Sequence, residues 1–116
     1  MTTDLHDLSD AILTCDLAIA QAHQDVLNCS RAAESLRTRL LLAAYRAEPS
    51  PLTGKNERIR EMQEAELLEA SEEYQEVVAG EDAARFDLRV AQLRRDEAHR
   101  TWQAEIAEWR VRLTEH

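Results

Sequence analysis

Apolar residues recur at alternating steps of three and four along the first part of the chain. None of the residues in this series carries a charge or an amide: Leu5, Leu8, Ile12, Cys15, Ile19, Ala22, Val26, Cys29, Ala33, Leu36, Leu40 and Ala43. A three–four repeat sustained over this length is typical of a helix that packs along another helix. We call this series the first seam, and it predicts a first helix over residues 4–47.

The first helix is expected to end at two prolines. Pro49 and Pro51 lack the amide proton that a helix needs, and they push the preceding residues into extended backbone. We therefore predict a loop over residues 48–55. Gly54 favours a left-handed turn in this loop, and Asn56 is a preferred cap for the helix that follows.

The remainder of the chain predicts a second long helix, over residues 56–114. It contains no proline, but the sequence permits a break in this helix within residues 70–82. Gly80 weakens a helix by about 1 kcal/mol relative to alanine, and Ser71 offers a cap for a fresh start.

Two long helices joined by one loop predict an all-α fold, an antiparallel helical hairpin of the coiled-coil type, as a single domain over residues 1–116. The expected register places Leu36 opposite Leu67, Cys29 opposite Tyr74, and Cys15 opposite Leu88. In that register acidic and basic residues fall near each other, which favours antiparallel pairing. The expected neighbours are Arg31 with Glu72 and Glu73, Arg37 with Glu66 and Glu69, and Asp10 with Arg94 and Arg95.

Two sets of apolar residues are left over by this register. The first is an overhang of the second helix over residues 100–116, which carries Trp102, Ile106, Trp109 and Leu113. The second is a strip beside the seam, in which Leu13 is expected level with Val90, and Leu17 level with Phe86; Leu27 and Leu93 continue it. Exposed apolar patches of this kind are typical of interfaces.

Three explanations of these apolar surfaces stay open. In the first explanation, the chain forms a two-fold homodimer, giving a dimeric four-helix bundle. Alternatively, the surfaces bind a different protein, with Trp102 and Trp109 as anchors. The third explanation is that the end of the second helix folds back onto the hairpin, although no glycine or proline stands near residues 97–100 to allow it.

The net charge bears on nucleic acid as a partner, whereas the apolar runs and the first residues bear on the compartment. The 116 residues carry a net charge of −9, so strong binding of nucleic acid is not expected. No run of about 18 apolar residues is present, so we expect no membrane span. The first residues lack the positive start of a secretion signal, and we expect a cytoplasmic protein.

Few residue groups suggest chemistry. Cys15 and Cys29 lie about 21 Å apart on one helix, too far for a disulfide within it, so we interpret them as reduced core residues. His6, Asp10 and His99 form a weak candidate for a metal site. We see no nucleophile beside a base, and we expect no cofactor, no metal and no enzymatic activity.

The loop offers a candidate contact for an anion. Lys55, Arg58 and Arg60 surround the start of the second helix, and a helix N-terminus attracts negative charge. The full phosphate-binding loop, with its longer glycine spacing after a strand, is missing. A solvated lysine beside a plain Asn56 cap is the alternative.

The loop also carries a resemblance. Residues 52–58, with the sequence LTGKNER, are followed by Arg60, Gln63 and the pair Tyr74-Gln75. This stretch is similar to a motif in small, mostly uncharacterised helical proteins of phages and prophages that have a TGKN-type turn. Their genes often sit among genes for recombination or single-strand DNA handling. The resemblance covers about a quarter of the chain, implies a phage accessory protein in the host cytoplasm, and supplies no site residues.

These observations favour a non-enzymatic protein–protein interaction module, acting in phage DNA metabolism or host takeover. Two alternatives stay open. In the first alternative, the chain is a structural or scaffold coiled-coil protein. In the second, it is an acidic inhibitor that mimics nucleic acid. The second alternative depends on the acidic face from Glu61 to Glu76, which lies within residues 61–82, a stretch with nine acidic residues and no basic residue.

Overall fold

The computed structural model describes residues 5–115, and three helices account for nearly all of them. They are α1 (Leu5–Arg46), α2 (Glu57–Ala70) and α3 (Glu72–Thr114). No strand occurs within residues 5–115. Helix α1 packs against α3 as an antiparallel hairpin, which confirms the predicted all-α fold. Residue 4, where the sequence places the start of the first helix, lies outside the described residues.

The contacts divide the chain into two compact units, which we describe separately. The first unit combines residues 5–25 of α1 with residues 85–115 of α3. The second unit is residues 26–84, and it contains the rest of α1, the loop, α2 and the start of α3. The sequence predicts a single domain and does not anticipate this division.

The first seam faces inward in each unit. Leu8 and Ala22 are buried in the first unit, and Ala33 and Leu36 are buried in the second. The other members are half-buried, apart from the last one, where Ala44 is buried in place of Ala43. The helix repeats every 3.6 residues rather than 3.5, so a strict seven-residue series drifts around it over many turns.

The register of the hairpin differs from the predicted one. In the first unit, Arg95 Nε donates a hydrogen bond to Asp16 Oδ1 at 3.1 Å. The predicted partner, Asp10, lies on the same helix and instead pairs with His6 at 3.5 Å. Arg95 therefore meets α1 almost two turns further along than the sequence suggests.

The second unit shows a displacement in the same direction. Arg39 Nη2 donates to Glu73 Oε1 at 3.0 Å, where Arg31 was the expected partner of Glu73. Arg37 lies 3.9 Å from Glu34 of its own helix. A shift of about one heptad presents the same apolar positions to the partner helix, so hydrophobic spacing alone does not distinguish the two registers.

The loop of the second unit folds against the end of α1. Ser50 Oγ donates to the carbonyl oxygen of Ala44 at 2.7 Å, and the Leu52 amide donates to Ser50 Oγ at 3.1 Å. The first of these bonds satisfies a carbonyl oxygen that the end of α1 leaves unpaired. The two bonds also hold Leu52 in place, and its side chain is buried.

The turn before α2 confirms the predicted cap and corrects the role of the glycine. Asn56 Oδ1 accepts a hydrogen bond from the amide of Ile59 at 2.9 Å. Gly54 has no positive φ, so it is not a left-handed turn. A Cβ at Gly54 would lie 2.7 Å from Ile59 Cγ2 and 2.9 Å from the Arg60 nitrogen. Glycine is required there because the loop passes so close to α2.

The second helical region is interrupted at Ser71, within the segment where the sequence permits a break. Ser71 has extended backbone, with φ −84° and ψ 112°. Its Oγ accepts a hydrogen bond from the amide of Tyr74 at 3.2 Å. The Gln75 side chain donates to the carbonyl oxygen of Leu68 at 3.2 Å. Ser71 therefore ends α2 and caps α3.

Replacing Ser71 by alanine should lower the free energy of unfolding by about 1 kcal/mol, because the Tyr74 amide loses its acceptor. Urea denaturation followed by circular dichroism measures the change. Ser35→Ala, an exposed position inside α1 of the same unit, is the matched control and should be neutral or slightly stabilising. Equal midpoints for Ser71→Ala and the unmodified chain would show that this hydroxyl does not stabilise the α3 start.

Candidate interaction surfaces

The first unit carries an exposed apolar face on α1. Leu13 and Leu17 are 58% and 65% exposed, whereas Ile12, Cys15 and Ile19 between and beside them are half-buried. At 100° per residue, Leu13 and Leu17 lie roughly 140° to 180° around α1 from the seam. They therefore point away from α3, and we call them the α1 outer face.

Helix α3 carries a matching face in the same unit. Phe86 and Leu93 are 67% and 58% exposed, and Leu88, Ala91 and Arg95 are half-buried. The same geometry places Phe86 and Leu93 roughly 160° to 180° from the inward side of α3. We call this pair the α3 outer face; it lies on the opposite side of the unit from the α1 outer face.

Val90 does not lie with Phe86 on an outer face. It is half-buried and lines a groove of about 380 Å³ between the two helices of the first unit. Its neighbours in the groove are Thr14, Cys15, Ala18, Asp87, Ala91 and Arg94. Of the predicted strip, with Leu13 level with Val90 and Leu17 level with Phe86, the structure places Val90 in this groove, whereas Leu13, Leu17 and Phe86 are exposed.

The two tryptophans have different surroundings. Trp102 is half-buried, shares a small groove with Ser9 and Ile12, and stacks on His99 with ring centroids 5.9 Å apart. The predicted overhang over residues 100–116 therefore begins later than expected, because the register is displaced toward the end of α3. Ile106 is also half-buried. By contrast, Trp109 and Leu113 are 47% and 69% exposed.

Replacing Trp102 by alanine should lower the free energy of unfolding by about 1.5 kcal/mol, since it removes the packing against Ile12 and His99. Trp109→Ala removes an equal side chain from an exposed position and should change stability by less than about 0.5 kcal/mol. Chemical denaturation of both variants, followed by far-ultraviolet circular dichroism, makes the comparison. An equal loss in both variants would contradict the different surroundings of the two rings.

The second unit also has exposed apolar side chains, and two of them, Ile59 at 44% and Met62 at 59%, lie on α2. Leu27 is 43% exposed and Leu42 is 46% exposed, on α1. Tyr45 donates its hydroxyl to Glu64 Oε1 at 2.6 Å. This hydrogen bond to a carboxylate raises the pKa of Tyr45, and partial desolvation of the hydroxyl raises it further. Tyr45 therefore ties α1 to α2 in the neutral form.

The candidate anion contact is an open surface. Lys55, Arg58 and Arg60 are all exposed, and the backbone amides of Ile59 and Arg60 are bonded to Asn56. The Asn56 side chain thus uses the Ile59 amide, one of the amides at the start of α2 that could otherwise donate to an anion. The exposed cations themselves are left as solvated charges at the surface.

The candidate metal ligands are not assembled into a site. His6 and Asp10 lie on one turn of α1, while His99 stacks on Trp102. Within the part of the chain that the structure describes, no group of three His, Cys, Asp or Glu side chains is placed to hold a metal ion. Cys15 and Cys29 are half-buried free thiols.

The α1 and α3 outer faces are thus the clearest candidate sites. Val111, 55% exposed near the end of α3, was missed in the sequence because it lies outside the three–four series of Trp102, Ile106, Trp109 and Leu113.

Among the three described helices, none is long and apolar enough to cross a membrane. Comparison of the chain with protein-family models, with curated proteins and with solved structures gives no match.

Proposed function

We propose that the chain is a non-enzymatic protein–protein interaction module that also associates with copies of itself. The observation that carries the proposal is the pair of outer faces in the first unit. Four large apolar side chains, Leu13, Leu17, Phe86 and Leu93, are each more than half exposed. Covering them removes apolar surface from water, which is favourable by about 25 cal/mol for each Å².

The end of α3 adds to the apolar surface available for a partner. Trp109, Val111 and Leu113 are exposed on the last turns of this helix. Tryptophan is enriched among the residues that dominate binding energy at interfaces. Trp109 is therefore the better anchor of the two tryptophans, since Trp102 already packs within its own unit.

The TGKN-type turn supports a phage accessory role, in which the module binds a host or phage protein of DNA metabolism. In this chain the turn has a structural task, because Gly54 and Asn56 position the start of α2. The turn thus supports a phage origin of the chain. The exposed apolar faces support the proposal that it acts by binding another protein.

A scaffold protein is the second candidate, and the opposite placement of the two outer faces favours it. A chain with surfaces on two sides that bind other copies of the chain builds larger assemblies than a dimer. Large regular oligomers that form without any other protein would support this candidate over a module that captures a partner.

Sedimentation velocity of the full chain over a wide concentration range tests the proposal. We expect a mass above the 13.3 kDa of one chain, increasing with concentration. A single species of one-chain mass at every concentration would contradict self-association. Trp109→Ala should leave the fold intact and weaken association with any partner that uses the end of α3.

A further inference from the structure

The folded chain leaves more of its surface in water than a chain of its mass normally does. Its accessible surface is 8964 Å². A compact monomer with the same mass, 13.3 kDa, exposes about 6,450 Å² by the usual scaling of area with mass. One copy therefore exposes about 2,500 Å² more than a compact monomer does.

The fraction of surface that folding buries is correspondingly low. The unfolded chain exposes about 19,300 Å² by the same scaling, so folding of one copy removes about 54% of this area from water. A typical domain of about 60 residues already removes about 60% and is marginally stable at that value. The entropy that opposes folding increases with chain length. The 116 residues therefore carry the entropic cost of a full domain with less burial than a small one.

The side chains that are buried are few and partly small. Eight apolar residues in the described part of the chain are buried, and four of them are alanines. No large side chain within residues 5–115 is fully buried. Both cysteines lie on α1 and are free thiols, so they do not compensate for the small core with a disulfide between them. The core of one copy alone is therefore a weak source of stability.

From this deficit, and on the basis of the proposed self-association, we propose that the chain folds only together with a second copy of itself. Folding and association are then one equilibrium between two unfolded chains and one folded dimer. The stability of such a dimer is inseparable from the concentration of the chain.

A second copy fits the size of the deficit. Obligate homodimer interfaces bury about 2,000–5,000 Å² in total, or about 1,000–2,500 Å² for each chain. The excess of about 2,500 Å² for this chain is at the upper end of that range. Each copy has the same deficit, so one shared contact relieves both copies at once. A partner that is already compact has no such deficit to relieve.

The exposed surface also has the composition that an obligate interface needs. Such interfaces are more apolar than the contacts of transient complexes. Within the described residues, twelve large apolar side chains are each at least 43% exposed, and they are found on all three helices. The surface left in water by one copy therefore includes apolar side chains that a second copy can cover.

The coupling has a consequence for regulation of the module. Because two chains must meet before either is folded, the amount of folded module increases with the square of the chain concentration while most chains are unfolded. A small change in the amount of chain then becomes a larger change in the amount of folded module.

Urea denaturation of the full chain at different concentrations tests this coupling. Circular dichroism at 222 nm follows helix content at chain concentrations from about 0.5 to 50 μM, and sedimentation velocity follows mass over the same range. The buffer contains salt at about 0.15 M, which screens the repulsion between chains of net charge −9. We expect hundredfold dilution to lower the urea midpoint by roughly 1 M. Helix content and the mass above one chain should be lost together.

The control is a tandem chain, in which a flexible Gly/Ser linker of about 40 residues joins two full copies. Association is intramolecular in this chain. Its urea midpoint should therefore be the same at every concentration, and above that of the unlinked chain at the lowest concentration. This result identifies a second copy as the partner that folding requires.

Three results would overturn the coupling, and they separate it from the proposed self-association. If the midpoint is the same at every concentration while the mass still increases, a folded monomer exists; self-association then stands and the coupling fails. A folded species of one-chain mass at every concentration contradicts both. If the chain and its tandem form are both unfolded at every concentration, folding requires a different protein and a second copy does not suffice.

Discussion

Replacing Leu36 by alanine should lower the free energy of unfolding by about 3 kcal/mol, the largest loss we expect from a single conservative substitution. Leu36 is 6% exposed and lies on the inward side of α1 in the second unit. It borders a groove with Ala32 and Val77, so its removal leaves a space between α1 and α3. Equilibrium unfolding in urea, followed by circular dichroism at 222 nm, measures the loss.

Leu42→Ala is the matched control for this prediction. It removes the same atoms from the same helix and unit, but Leu42 is 46% exposed. We expect a change within about 0.5 kcal/mol. If both substitutions shift the urea midpoint equally, α1 does not bury the Leu36 side of the helix, and the hairpin packing described above is wrong.

The inward side of α1 could be predicted from the sequence because it depends on local spacing alone. A three–four repeat from Leu5 to Leu40 leaves one side of a helix on which these residues can be covered together. The loop was equally accessible to prediction, since Pro49 and Pro51 exclude a continuous helix whatever lies nearby. The same holds for Asn56, whose side chain caps the helix that directly follows it.

The register could not be predicted in the same way, because it depends on long-range contacts. Sliding one helix of a heptad pair past the other by seven residues keeps every apolar position against an apolar position. The surface ion pairs that differ between the two registers contribute little energy. In the structure Arg95 donates a hydrogen bond to Asp16. The loop around Leu52 also folds back on the hairpin, rather than simply reversing the chain.

The displaced register explains which parts of the candidate surfaces were misjudged. It brings Trp102 against the start of α1, so the overhang is shorter than expected. It does not change which residues face outward, because that depends on position around each helix. Leu13, Leu17 and Phe86 were therefore found as exposed apolar residues in the sequence, while their separation onto opposite sides required the structure.

The two glycines should respond to alanine with opposite signs. Gly54→Ala should lower the free energy of unfolding by about 2 kcal/mol, because the new Cβ would lie 2.9 Å from the backbone nitrogen of Arg60. That nitrogen donates to the carbonyl oxygen of Asn56 at 3.1 Å, and the Gly54 amide donates to Gln63 Oε1 at 2.9 Å. The loop and the first turn of α2 are therefore held together on both sides, and neither can retreat without losing a hydrogen bond.

Gly80→Ala is the matched substitution inside α3 of the same unit. A Cβ at Gly80 meets nothing within 4 Å, so alanine should stabilise the helix by about 0.5–1 kcal/mol through its lower conformational entropy in the unfolded chain. Urea denaturation of the two variants side by side gives midpoints on opposite sides of the unmodified chain. A stabilising Gly54→Ala would mean that the loop does not approach α2 as closely as described, and the TGKN-type turn would then require a different explanation for its glycine.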